Sequence, residues 1–221
     1  GILRIIEAQI AGAYFADQIA AAKEQGRVSR LPIEPSLMVH TAWDLGISDS
    51  MSIWLFQAMG KEIRLIGYYE NNGKGMEHYI QWLNQYASTH NVMLGQHLAP
   101  HDIEVRELTS GRSRKEVARE MGISFRTVQR PRTKAEGIQA IRRMFPRFWF
   151  DEDRTEHGLN CIASYHREFD EKRNVFKDTP VHDWASHGAD ALQTLALGWQ
   201  ESMVSGHRPQ PRQAEVRFSV F

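Results

Sequence analysis

Three consecutive runs constrain this chain most: "LMVHTAWDLG" (37–46), "MSIWLFQAMG" (51–60) and "KEIRLIGYYE" (61–70). Each is apolar and rich in strand formers. Met59, Gly60 and Lys61 predict a tight turn between the second and third, so the three are most simply an antiparallel meander. A helix follows: "GMEHYIQWLNQYASTH" carries Met76, Tyr79, Ile80, Leu83 and Tyr86 at amphipathic spacing. "NVMLGQHLAPHD" then returns as a strand ending at Pro100, His101 and Asp102. Downstream, "SRKEVAREMG" and "KAEGIQAIRRMF" read as helices around a short strand in "ISFRTVQ". "GLNCIASYHREF" reads as a helix, "DEKRNVFKDTP" as a charged loop or short hairpin, and "DWASHGADALQTLALGWQES" as a strong last helix. Strands first, then alternating helices and short strands, predict a mixed α/β sheet flanked by helices.

The 221 residues can bury a sizeable core. Lys+Arg and Asp+Glu number 27 each, so no global positive field points to nucleic acid, and any such surface must be local. One cysteine, Cys161, excludes an internal disulfide framework and fits a reducing compartment. No apolar run approaches the roughly 20 residues of a membrane span, and no signal-peptide layout is present. Ile10, Tyr14, Ile19 and the alanines among them predict a helix or two before Gly26, followed by the connector "RLPIEP". The chain opens inside that helical pattern and so reads as a piece of a longer protein. The stretch after Gly206, with Pro209 and Pro211, reads as a mobile tail.

Two acids fall where strands end, Asp44 and Asp102, and a third, Asp190, in the first turns of the last helix. Singly, each has an ordinary explanation, a turn residue or a favourable charge near a helix start. Together they suit hard divalent ions, which take carboxylate oxygens and few protein ligands, and complete their shell with substrate phosphate. Two such ions can activate water and stabilise the leaving oxygen in phosphodiester hydrolysis.

The pieces "HTAWDLGISDSMSIWLFQAMGKEIRLIGYYENNGKGMEHYIQWL", "LAPHDIEVRELTSGRSRKEVAREMG", "EGIQAIRRMF" and "HDWASHGADALQTLALG" together resemble the nuclease domain of phage terminase large subunits. The likeness runs from Arg27 to Gly198 and rests on Asp-Leu-Gly, Pro-His-Asp and Ser-His-x-x-Asp-Ala. It implies an RNase H-like fold and an endonuclease cutting concatemeric double-stranded DNA with two divalent metals, Mg²⁺ or Mn²⁺. It also implies catalytic acids at Asp44, Asp102 and Asp190, with Asp44 bridging the ions. By the same likeness, residues 1–30 would be a linker from an upstream ATPase domain, 31–205 the nuclease domain and 206–221 a tail. The portal and the small terminase subunit would be partners, and a bacterial host's cytoplasm the location.

Asp183, seven residues before Asp190, is either a further metal ligand or a helix N-cap, and Asp49 reads as a turn residue. His101 and His187 flank two of the acids and can orient carboxylates, touch phosphate or simply pack. His182, His187 and Asp183 also suggest zinc, but Cys161 stands apart and no paired spacing of a zinc site appears. "GYYENNGKG" mimics a phosphate loop, yet five residues separate its first two glycines and Gly75 follows Lys74, so it is a strand-to-helix turn and no ATP turnover is expected.

Arg112, Arg114, Lys115, Arg126, Arg130, Arg132 and Lys134 cluster, followed by Arg142, Arg143 and Arg147. With Glu116, Glu120 and Glu136 interspersed they form either a solvated face or a phosphate-binding rim, for which Arg126, Arg130, Arg132 and Lys134 are the DNA-binding candidates. Two alternatives stay open: an RNase H-like resolvase, transposase or RNase, and a non-catalytic regulator. The second would use Ser113 to Arg132 as a helix-turn-helix, in which Gly122 separates two helices rather than a helix from a strand.

Overall fold

The computed structural model describes residues 11–46, 50–106 and 111–204. Asp49, the pattern before residue 11 and the tail after residue 205 lie outside the described residues.

A seven-stranded sheet organises the chain. The meander is present: β2 (Val39–Asp44), β3 (Met51–Met59) and β4 (Glu62–Asn71) pair antiparallel in order. Gly60, at φ 59, makes the β3–β4 turn in a conformation that only glycine adopts freely. Helix α2 (Met76–His90) then returns the chain to β5 (Leu94–Pro100), which lies parallel to β2 on its free side. Helix α3 (Arg114–Glu120) opens with a capping box, Ser113 and Glu116 each accepting the other's backbone N–H, and leads through Gly122 (φ 86) into β6 (Phe125–Val128). That strand runs parallel to β5, so the helix-turn-helix alternative fails: a sheet strand stands where its second helix would be.

Two short strands complete the other edge. β7 (Phe148–Asp151) pairs parallel with β4, and β1 (Val28–Ser29) parallel with β7, giving the order β1-β7-β4-β3-β2-β5-β6. The aromatic "FPRFWF" is core here, with Phe145, Phe148 and Phe150 all buried. Helix α1 (Ala16–Glu24) adds Ile19 and Ala22 to the same core, together with Phe15 just before it. Helix α5 (Glu156–Ser164) ends earlier than expected, and the chain then forms the hairpin β8 (Arg167–Asp170) and β9 (Val175–Pro180).

Side chains alternate across the central strands, so each face buries its own core. Trp54, Phe56 and Ala58 meet α1, α4 (Lys134–Met144), α5 and the last helix, α6 (Trp184–Gly198); Trp43, Ile53 and Leu55 meet α2 and α3. Among the described residues, no helix is long and apolar enough to cross a membrane.

Two histidines are built into this frame uncharged. His40 accepts the Gln96 backbone N–H at Nδ1 (2.9 Å), leaving Nε2 to donate to the Met203 carbonyl (3.2 Å). His97 receives at Nδ1 the Thr41 hydroxyl (2.7 Å), which in turn accepts the Trp43 indole N–H. Burial pushes both imidazoles down to about 4. The unfolded chain protonates them near 6.5, so stability is fully present above that pH and is lost as pH falls toward 4, by about 3 kcal/mol per ring at the limit. The urea midpoint should therefore fall steadily from pH 6.5 to 4.5, and replacing both histidines by Gln should flatten the slope. A wild-type midpoint constant across that window would show that the rings are not held neutral.

Candidate active site

The end of β2, the turn after β5 and the middle of α6 face one another. Asp44 is the last residue of β2, and pairing of β2 with β5 brings beside it the 3₁₀ turn His101–Glu104, which carries Asp102. Helix α6 lies over β2 and β3, anchored where the Trp54 indole donates to the Gly188 carbonyl (2.9 Å) and the Ser52 hydroxyl to the His187 carbonyl (2.9 Å). Gly188 permits that approach: a Cβ there would stand 2.6 Å from Cys161 Cβ. Asp190 follows two residues later.

Asp44, Asp102 and Asp190 thus line one cleft of about 390 Å³, together with Arg130, Arg132 and Lys134. The acids are mostly covered, with side chains 22%, 29% and 21% exposed. Burial raises the Asp44 carboxyl above its ordinary value, and the Asp190 charge raises it further, while the His187 contact pulls it down. His187 Nδ1 lies 3.5 Å from Asp44 Oδ2, although in sequence it flanks Asp190. His101 Nε2 lies 3.0 Å from Asp102 Oδ1.

The cations arrive together, Arg130 and Arg132 on the loop between β6 and α4 and Lys134 as the first residue of α4. Arg130 reaches Asp102 Oδ2 (3.0 Å) and Lys134 reaches Asp190 Oδ1 (3.0 Å). The Arg132 backbone N–H donates to Glu136, which tightens the entry to α4, and the Thr133 hydroxyl caps that helix. Gln193 and Thr194, one turn beyond Asp190 on the same helix face, also line the cleft. That i, i+3 and i, i+4 spacing is the signal by which the sequence could have revealed them.

Two expected site residues are placed elsewhere. Asp183 is the N-cap of α6, its carboxylate accepting the Ala185 N–H (2.9 Å), and it lines a separate depression with His182, Trp184 and His187. Its seven-residue spacing from Asp190 does not put it on the same helix face, because the helix begins after it. Arg126 does not line the cleft: it lies on the edge strand β6 and its guanidinium donates to the Gly198 carbonyl at the end of α6. A β-strand residue a few places from a loop cation faces a different environment from it.

A mixed sheet with this order, and an acid-bearing helix across its first antiparallel strands, defines an RNase H-like α/β fold. Among solved structures, the large terminase of a thermophilic bacteriophage in complex with ATP-gamma-S superimposes with a TM-score of 0.60 at 16% identity, covering 84% of this chain and 45% of that one. The P22 large terminase nuclease domain gives 0.55 at 16% identity, covering 83% and 90%. The large terminase nuclease of thermophilic phage G20c with bound magnesium gives 0.54 at 12%, covering 84% and 96%. The chain therefore has the fold of large terminase nuclease domains, and it spans less than half the length of the terminase bound to ATP-gamma-S. No protein-family model and no curated protein matches it.

Proposed function

We propose that this chain is the nuclease part of a phage DNA-packaging terminase, an endonuclease that hydrolyses phosphodiester bonds of concatemeric double-stranded DNA with divalent metal ions. The observation that carries this is the convergence of Asp44, Asp102 and Asp190 from three separate elements into one cleft, within a fold shared with terminase nucleases.

The donor set is all oxygen and suits a hard dication. Burial and Asp190 both oppose ionisation of Asp44, so the cleft holds its negative charge at a cost that a dication relieves. Two ions, Mg²⁺ or Mn²⁺, held by Asp44, Asp102 and Asp190, would activate the attacking water and stabilise the departing 3′ oxygen. The protein's own groups do the rest. His187 beside Asp44 and His101 beside Asp102 hold those carboxylates in one orientation. Arg130 and Lys134, paired with two of the acids, can turn to phosphate oxygens once that charge is met by metal. With Arg132 they supply a positive rim whose binding is salt-dependent and tolerant of sequence. Asp183, engaged as a helix cap, is left out of the proposed ligand set.

The wider setting belongs to the same proposal: an ATPase domain upstream in the polypeptide, the portal and small terminase subunit as partners, and a bacterial host's cytoplasm. So does the division into a linker (1–30), a nuclease domain (31–205) and a tail (206–221).

Supercoiled plasmid should be nicked and then linearised with Mg²⁺ or Mn²⁺ and stay intact in EDTA. Linear duplex DNA should be cut in preference to RNA–DNA hybrids and four-way junctions. Preference for hybrids or junctions would move the chain to the RNase or resolvase class, and cutting in EDTA would remove metal from the chemistry.

A further inference from the structure

A second group of donors converges away from the acid cleft. Glu70 Oε, a His157 ring nitrogen and Cys161 Sγ all lie within 4.8 Å of one another. His157 and Cys161 are four residues apart on α5, the spacing that puts two side chains on one helix face. Glu70 comes from β4, paired with Ser52 of β3, which pairs with Asp44 of β2. Two strand spacings thus separate Glu70 from Asp44, about 10 Å across the sheet.

We infer that Glu70, His157 and Cys161 form a second metal site, selective for a thiolate- and imidazole-binding dication such as Zn²⁺ rather than for Mg²⁺. One thiolate, one imidazole and one carboxylate are the donors of borderline-soft ions, whereas Mg²⁺ takes oxygens. Tetrahedral zinc bonds of about 2.0–2.3 Å set neighbouring ligand atoms about 3.3–3.8 Å apart. His157 Nε2 and Glu70 Oε2 already stand 3.3 Å apart, and the thiol needs a shift of at most about 1.5 Å to match that spacing. Tyr68 hydroxyl donates to Glu70 Oε2 (2.5 Å), the partner that orients a ligating carboxylate. His157, its side chain 59% exposed, leaves an entry path from solvent, while Cys161 is buried.

The ion would join β4 to α5 and, because Cys161 Sγ lies 3.8 Å from the Trp184 carbonyl, brace the first residue of α6. It would act as a clip beneath the helix that carries Asp190, and this inference stands whether or not the acid cleft cuts DNA. In sequence, Cys161 stands apart from the His182, Asp183 and His187 group; the fold gives it other partners.

Cobalt(II) tests the site, because Cys161 is the chain's one cysteine and any sulfur-to-cobalt charge transfer can come from nowhere else. The chelator-treated protein, titrated with Co²⁺, should develop that near-ultraviolet band, saturating at one ion per chain for the band. Cys161→Ser and His157→Ala should each lose most of it, and Asp44→Asn should keep it whole. His157 is exposed enough that its variant should fold as wild type even if the buried serine does not. Equimolar Zn²⁺ should bleach the band, while a large excess of Mg²⁺ should leave it. Cobalt binding without the band, a band that survives in His157→Ala, or one bleached by Mg²⁺ would overturn the assignment.

Discussion

Asp44→Asn is expected to abolish plasmid nicking, slowing it by at least roughly a thousandfold, or about 4 kcal/mol of barrier, while leaving the sheet intact. Asp44 ends β2, and its carboxylate is the one that both burial and Asp190 push toward the neutral form. The amide has the same shape and hydrogen-bonding reach but no charge to offer a dication. A second consequence concerns stability. Below the ordinary carboxyl range, folded and unfolded chains are both protonated at this position. As pH rises from that range to the elevated folded value, the unfolded carboxyl ionises freely while burial resists ionisation in the folded chain. Metal-free wild type therefore loses stability across that interval and the variant does not. Mg²⁺ at about a hundred times its Kd should return about 2.7 kcal/mol to wild type, roughly 5–10 °C in melting temperature for a chain of this size. Asp44→Asn should gain markedly less. Nicking at the wild-type rate would sink the assignment of Asp44.

Trp54→Ala should be among the most destabilising single changes in the core, costing about 3–5 kcal/mol and roughly 6–20 °C of melting temperature. Trp54 is fully buried in the middle of β3, with Tyr68 at 4.8 Å and Phe150 at 6.0 Å between ring centroids. Gly158 on α5 is so close that an added Cβ would stand 2.4 Å from the indole. The indole N–H is the peg on which Gly188 hangs, so truncation leaves both a cavity and an unpaired carbonyl beside Asp190. Trp54→Phe keeps much of the ring and loses the peg, and should fall between wild type and the Ala variant in urea melts. Nicking at saturating Mg²⁺ should drop further in the Ala variant than in the Phe variant at a temperature where both are folded. A Trp54→Ala melt within a degree or two of wild type would mean that α6 is held by something else.

The meander, the return to β5 and the last helix were legible because each carries a long run of one periodicity. β1 and β7 were not: two and four residues have no period of their own and become strands only by pairing with β4 or with each other. Asp44, Asp102 and Asp190 could be picked out because they mark element ends, where strand pairing and helix docking are predictable in kind. Asp183 could not be separated from them, because one residue's difference in where a helix starts decides whether a carboxylate faces a cleft or caps a turn. Arg126 was grouped with the loop cations by proximity alone, and strand geometry sends it elsewhere. Glu70 carries no local signal, since its partners His157 and Cys161 lie on a different element.

The docking of α6 also has a consequence during synthesis. Asp44 and Asp102 emerge from the ribosome before Asp190, and β2 and β5 can pair as soon as α2 has formed between them. The contacts that seat α6 join residues 134 and 135 positions apart, so the third acid reaches the cleft only when nearly all of the described fold has been made. A nascent or prematurely terminated chain therefore holds two carboxylates and no closed site. Assembly of the three-acid cleft is thus tied by topology to completion of this fold.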